Sequence, residues 1–356
     1  MKFYQETQTV WERLAAETRP IALYGMGDGA DKILRVFEQY GIRASAVFAS
    51  DGFARGNLFH GFRVGTLAEV TAQFGEDIVI VISFASQRPE VLALMYALEA
   101  HYDVVAPDVP VAGHELFDRA FVRQHADELH RAYDLMADAQ SRTVFEQTVE
   151  YKLTGNIACL RACESDKAEA FTALLRPTPQ ERFVDLGAYN GDTIRELLDY
   201  TDGQFASITA FEPDRKNRKK LQKYIDDTLH GRATVVPAGA WSCDDTLYFA
   251  QRAGRNSAVS GAGEPVAVRS VDSVLAGAPC TFLKLDVEGV ERDALYGARE
   301  TIARCRPKLN LAAYHRSDDL FALPLAVHEL CPSYRIYLRH HPYVPAWDTN
   351  LYAISP

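Results

Sequence analysis

The stretch Phe183-Val-Asp-Leu-Gly-Ala-Tyr-Asn-Gly-Asp-Thr193 decides the reading of this chain. A short apolar run ends in an acid, passes two glycines, and enters helical spacing at Ile194, Leu197 and Leu198. The pattern predicts a strand, a tight turn and a helix, with Asp185 at the carboxyl end of the strand. In open α/β sheets, ligands lie in the crevice outside those strand ends. A dinucleotide loop spaces its glycines as GxGxxG, so that bare backbone approaches a pyrophosphate at a helix N-terminus. Here the pattern is Asp185-x-Gly187-x-x-x-Gly191, with an acid where a phosphate would be repelled. Such a turn suits a ligand that carries positive charge and no phosphate. S-adenosylmethionine, with its ammonium, sulfonium and ribose diol, is one.

Downstream, strands are expected at 183–186, 207–211, 234–236, 281–285 and 308–312, with helices between them and a polar insertion, read as a hairpin, after the third. Two last strands, at 334–338 and 350–354, are joined by a loop without room for a helix, so they should pair antiparallel. The expected fold is α/β, a class I methyltransferase Rossmann-like domain whose seven-stranded sheet has an antiparallel end strand. The domains are read as 1–112, a smaller Rossmann-like unit; 113–178, a helical connector; and 179–356, the donor-binding domain.

Glu212 closes the second strand in Ala210-Phe-Glu-Pro213. On its own it could be a surface carboxylate capping the next helix. One βα unit after the Asp185 turn, it is read as the acceptor of both ribose hydroxyls, through charge-assisted bonds worth roughly 1.5–3 kcal/mol. Pro237-Ala-Gly-Ala-Trp241 offers small residues that let the chain lie flat against an adenine. Candidate donor-binding residues are therefore Asp185, Gly187, Ala188, Tyr189, Gly191, Asp192, Glu212, Pro213, Gly239, Ala240 and Asp286. The basic run from Arg215 to Lys220 lies on a helix whose apolar side is Leu221, Tyr224 and Ile225, so it is read as a solvated face. Asp272 is read as a helix N-cap before Val274 and Leu275.

Thr281-Phe-Leu-Lys-Leu-Asp-Val-Glu-Gly289 delivers Asp286 and Glu288 at a strand end, and Tyr314-His315 brings an imidazole to the same rim. Methyl transfer to an alcohol needs an oxygen placed in line and a route for its proton; a positioned base supplies about 10²–10⁴ of the rate. His315, ordinarily titrating near neutrality, is the first choice, with Asp286 next and Glu288 beside them. A metal could be assembled from Asp286, Glu288 and His315, but no second Asp-Asn pair of the catechol-methyltransferase kind is visible, so no metal is expected.

The amino-terminal unit begins with an amphipathic helix (Val10, Trp11, Leu14) and the strand leading into Gly25-x-Gly27-x-x-Ala30. Further strands are expected at 44–48, 77–83 and 103–105, which with intervening helices make a small parallel sheet. Gly25, Gly27 and Asp51 sit where a nucleotide site would place its turn and its ribose acid, though the glycines could serve only a tight strand-to-helix turn. Cys159 and Cys163 could share a helix face and are read as buried thiols, since metal binding would need two more ligands nearby.

A formal net charge of −10 argues against a general nucleic-acid binder. Six cysteines without a CxxC pair fit reduced thiols. The longest strongly apolar run, 78–85, is too short to span a bilayer, and the first residues do not form a signal peptide. The expectation is a cytoplasmic protein; the sequence leaves open whether it is a homo-oligomer.

In order and spacing, 183–193, 210–213, 271–275, 282–289 and Tyr314-His315 resemble the FkbM family of S-adenosylmethionine-dependent methyltransferases, over residues 141–356. The resemblance implies O-methylation of hydroxyls on sugars, glycans or polyketides, and carries donor contacts onto Asp185, Gly187, Gly191 and Glu212. The stretches 41–51 and 61–65 resemble the amino-terminal domain of bacterial sugar acyltransferases, which implies a nucleotide-linked sugar as ligand. The expected activity is O-methyl transfer to a sugar, glycan or other polyhydroxylated acceptor. C- or N-methyl transfer and non-catalytic ligand binding are the alternatives.

Overall fold

Val79–Ile82 is buried at all four positions and pairs in parallel with Ile21–Tyr24, as its β-branched run requires. Ala46–Phe48 and Asp103–Val105 complete a four-stranded parallel sheet, with Ile21–Tyr24 and Val79–Ile82 in the middle. The structure is a computed structural model, and describes residues 8–50, 52–54, 56–250, 258–259 and 264–356.

The larger sheet has seven strands in the order Arg335–His340, Thr349–Ile354, Lys308–Ala312, Phe282–Leu285, Arg182–Leu186, Ser207–Phe211 and Ala233–Val236. Thr349–Ile354 runs antiparallel to both neighbours, and all other pairings are parallel. The chain builds outward from Arg182–Leu186 to Ala233–Val236, then returns to add Phe282–Leu285 on the opposite side. The reversal falls between Arg182–Leu186 and Phe282–Leu285, which is where such sheets open a crevice. The polar insertion forms its own small sheet, in which Asp245–Ala250 pairs antiparallel with Glu264–Arg269.

The helices of 113–178 pack on this larger sheet. Phe121, Tyr133, Met136, Val144, Phe145 and Val149 share one buried core with Val184, Leu186, Leu283, Leu285 and Leu311. Tyr151, Ile157 and Leu160 turn instead to the smaller sheet, together with Val344 and Ala346 from the end of the chain. Ser86 and Val344 exchange backbone hydrogen bonds at 2.8 and 3.0 Å. Cys159 and Cys163 are buried free thiols. No helix among the described residues is long and apolar enough to cross a membrane.

One local expectation is corrected. Ser270, not Asp272, caps the helix Val271–Leu275, its side chain accepting from Ser273 N–H at 3.1 Å. Asp272 lies two residues further on, in the first turn, and reaches the next helix instead, accepting from the N–H groups of Glu300 and Thr301 at 2.9 and 2.8 Å.

Candidate active site

At the crevice the strand ends are drawn together by the turn after Leu186. Gly187 has φ +84, and a Cβ there would lie 1.9 Å from the Asp286 carbonyl oxygen, so only glycine fits. Asp286 N–H donates to Leu186 O at 3.0 Å, and Ala188 N–H to Phe211 O at 2.9 Å. Gly191, also in the left-handed region, precedes the helix Asp192–Asp199.

The structure places Asp185 beneath the rim, with 0% exposure. Thr193 donates its hydroxyl to Oδ2, while Oδ1 stands 4.0 Å from Lys284 Nζ and has no hydrogen-bond partner among the described residues. Burial pushes this carboxyl up to about 6 against the pull of Lys284 and Thr193. Lys284, its neighbour across the sheet, also reaches Asp286 Oδ2 at 3.3 Å. Burial acts against the ammonium, but Asp286 and Asp185 hold its pKa above the ordinary value.

Glu212 is 5% exposed at the end of the next strand and accepts from Asp214 N–H at 2.7 Å. The following helix is capped by Asp214, whose side chain accepts from Lys216 and Asn217. Glu212 is therefore not the helix cap. Burial raises its carboxyl to about 7, with the N–H groups of Asp214 and Tyr189 pulling the other way. Tyr189 stands on the rim, 40% exposed with φ +46, and Asp192 and Pro213 are exposed nearby in the chain. Ala188 and Ala240 are buried, and Gly239 is half-buried in a short strand beyond the third.

Asp286, Glu288 and His315 come together as expected. Nε2 of His315 lies 3.5 Å from Asp286 Oδ1 and 3.6 Å from Glu288 Oε2. Glu288 adopts φ +56, a conformation unusual for a side chain larger than glycine, and it is exposed. A fourth group was not anticipated: Glu291, 1% exposed, whose Oε1 stands 2.8 Å from Nδ1 of His315. It opens the helix Glu291–Tyr296, and its Oε1 also accepts from Val287 N–H at 2.9 Å. Burial opposes charge on the imidazole, but Glu291, Asp286 and Glu288 overcome it and hold His315 up to about 10. The premise of a histidine near neutrality is thus not met, because the surrounding carboxylates favour the charged ring.

The crossing between the two units is tied to this histidine. Ala112 N–H donates to His315 O at 2.8 Å, and Ser317 Oγ to Glu115 O at 2.6 Å. Lys32 Nζ donates to the carbonyls of Pro110 and Val111, both at 3.0 Å. A Cβ on Gly289 would stand 2.3 Å from Ala112 Cβ. In the smaller unit Gly25 and Gly27 form the turn before the helix Asp28–Tyr40, and Asp51 lies outside the described residues. Asp28 and Asp31 occupy that helix's first turn, with Asp31 Oδ1 2.7 Å from His60 Nε2 and Asp28 Oδ2 3.5 Å from Lys32 Nζ.

A doubly wound sheet of this order, with acids on consecutive strand ends beside its point of reversal, defines a Rossmann-like methyltransferase. Residues 185–344 match the family model of the methyltransferase FkbM domain. A methyltransferase FkbM from Methylobacillus flagellatus KT superposes with a TM-score of 0.74 over 95% of this chain and 90% of that one, at 24% identity. The precorrin-6y C5,15-methyltransferase of Geobacter metallireducens GS-15 has a TM-score of 0.34 at 12% identity, over 51% of this chain and 84% of that one. The fibrillarin of Aeropyrum pernix, solved with S-adenosyl-L-methionine natively bound, has a TM-score of 0.33 at 14% identity, over 49% and 68%. No curated protein matches the chain.

Proposed function

We propose that the protein transfers a methyl group from S-adenosylmethionine to a hydroxyl of a sugar, glycan or other polyhydroxylated small molecule. The observation that carries this reading is the convergence of Glu212, the Gly187 turn and the Asp286–His315 cluster on one crevice. Glu212, deep at the second strand end and not spent on capping, is the ribose acceptor. The turn Gly187–Gly191 and the small residues Gly239 and Ala240 take the methionine and adenine portions. Asp185 contributes from below, holding Thr193 and Lys284 in place.

The acceptor hydroxyl lies between the donor sulfonium and the Asp286–Glu288–His315 cluster. Its oxygen takes the methyl group, the S–CH₃ electron pair stays on sulfur, and the proton leaves to a rim carboxylate. Glu288, the exposed one, is best placed to pass it to water. His315 in its charged form steadies those carboxylates, a role that differs from the base first expected of it. The amino-terminal unit shapes the acceptor side through the crossing that bonds to His315. The test is a screen with methyl-labelled donor against nucleotide sugars and short glycans. Label recovered in an ether linkage supports the reading, and label on carbon or nitrogen overturns it.

A further inference from the structure

We propose that Lys32 of the amino-terminal unit is a positioning residue for methyl transfer, holding residues 110–112 against the rim at Glu288 and His315. The proposal rests on the O-methyl transfer reading for the reaction it serves. Residues 106–118 carry the chain from the smaller sheet to the connector without helix or strand. Backbone of that kind must find its hydrogen-bond partners outside any ladder. At one end, Ala106 N–H donates to Gly155 O at 2.8 Å, and the buried Asp108 pairs with the buried Lys152 at 2.8 Å. Beyond Asp108 the hold passes to Lys32, whose Nζ donates to Pro110 O and Val111 O. Its side chain is 16% exposed, and Asp28 Oδ2 stands 3.5 Å from the same nitrogen. Two carbonyls and a carboxylate take up the three donors of an ammonium, so Lys32 is spent on the crossing rather than on a ligand.

The far side of these three residues meets the rim. Ala112 N–H donates to the carbonyl of His315, and Ala112 Cβ stands where a side chain on Gly289 would collide with it. Glu288 and Gly289 have φ +56 and +97, so their turn keeps its shape only through what packs on it. Burial lowers the pKa of Lys32 against the pull of Asp28 and, more weakly, of Glu288, which puts the ammonium within the field of that carboxylate. A misplacement of about 1 Å at a reacting group can cost on the order of 10² in rate. None of these contacts involves Glu212 or the turn Gly187–Gly191. The lever therefore acts on the reacting side of the crevice and leaves the donor side alone.

The test compares full-length Lys32→Met, which keeps the length and loses the donors, with Lys32→Arg, whose guanidinium can still donate to both carbonyls. With an acceptor found by the label screen, kcat should fall by about 10- to 100-fold in Lys32→Met. The Kd for S-adenosylmethionine should stay within about three-fold of wild type, and Lys32→Arg should recover most of the lost turnover. Deuterium exchange at the Ala112 amide reads the same tie without turnover. It should quicken by about ten-fold or more in Lys32→Met, while the amides of 207–211 stay unchanged. Lys32→Gln, which keeps one donor group, replaces Lys32→Met should that variant fail to fold. Wild-type turnover in Lys32→Met, a parallel loss of donor affinity, or an unchanged Ala112 amide overturns the positioning role. A wild-type chain that transfers no label overturns the methyltransferase reading instead, and the exchange result still upholds or removes the tie made by Lys32.

Discussion

Gly187 and Asp286 are locked against each other: a Cβ on the glycine would fall 1.9 Å from the carbonyl oxygen of the acid's own residue. Two strand ends that are far apart in sequence are thereby fixed at one spacing, and the crevice inherits it. Gly187→Ala adds this overlap to a φ of +84, so it should destabilise by about 3 kcal/mol or more, summing strain and displacement. Gly203, at φ +72 with open space around its Cβ position, is the control and should cost about 1 kcal/mol on alanine substitution. Urea unfolding of the two variants makes the comparison, and equal midpoints would contradict it.

The raised pKa of Glu212 predicts pH-dependent donor binding. Burial holds its carboxyl up at about 7, and only the ionised form makes charge-assisted bonds to a ribose diol. Affinity for S-adenosylmethionine should therefore rise as pH increases from 6 to 8, and level off above. Glu212→Gln should remove most of that slope and weaken binding at pH 8 by about ten-fold or more, the equivalent of one such bond. A wild-type Kd that is flat from pH 6 to 8 speaks against the ribose assignment.

His315→Ala should separate chemistry from binding. The ring touches Asp286, Glu288 and Glu291 but not the Glu212 side of the crevice, so donor affinity should change less than about three-fold. Turnover should fall by about 10² or more, the range for a lost group at the reacting centre. Equal turnover in variant and wild type would remove His315 from the mechanism.

The second buried histidine bears on stability. His340 is wholly buried, and burial followed by the neighbouring His341 drives its pKa down to about 3. The unfolded chain takes up a proton near 6.5 that the folded one refuses, so His340's contribution is complete above pH 6.5 and is lost as pH falls toward 3. Asp185 and Glu212, with raised values, act in the opposite sense over the range up to about 7. The informative quantity is therefore the difference between wild type and His340→Gln. The variant should lose less stability between pH 7 and pH 5, by an amount on the order of a few kcal/mol, in urea melts. Parallel losses would contradict the assignment.

Much of the scaffold was legible because periodicity speaks for burial. The run at 79–82, the stripe Ile194–Leu197 and the short final loop each dictated an element that the structure contains. The site was legible only to the level of strand ends. Asp185 follows its strand's alternation and turns under the rim, which spacing toward the glycines did not reveal. Glu291 looked like an ordinary acid in a helix's first turn; that its carboxylate faces inward depends on where Lys308–Ala312 delivers His315, a long-range fact. The charge state of His315 was illegible for the same reason, since it is set by carboxylates from another βα unit.

The central claim, a cationic donor held by acids across this crevice, is tested most directly by calorimetric titration with S-adenosylmethionine. The account predicts one molecule per chain, with binding severely weakened in a folded Glu212→Ala variant and retained in His315→Ala. No binding to the wild-type chain, or undiminished binding in Glu212→Ala, would contradict it.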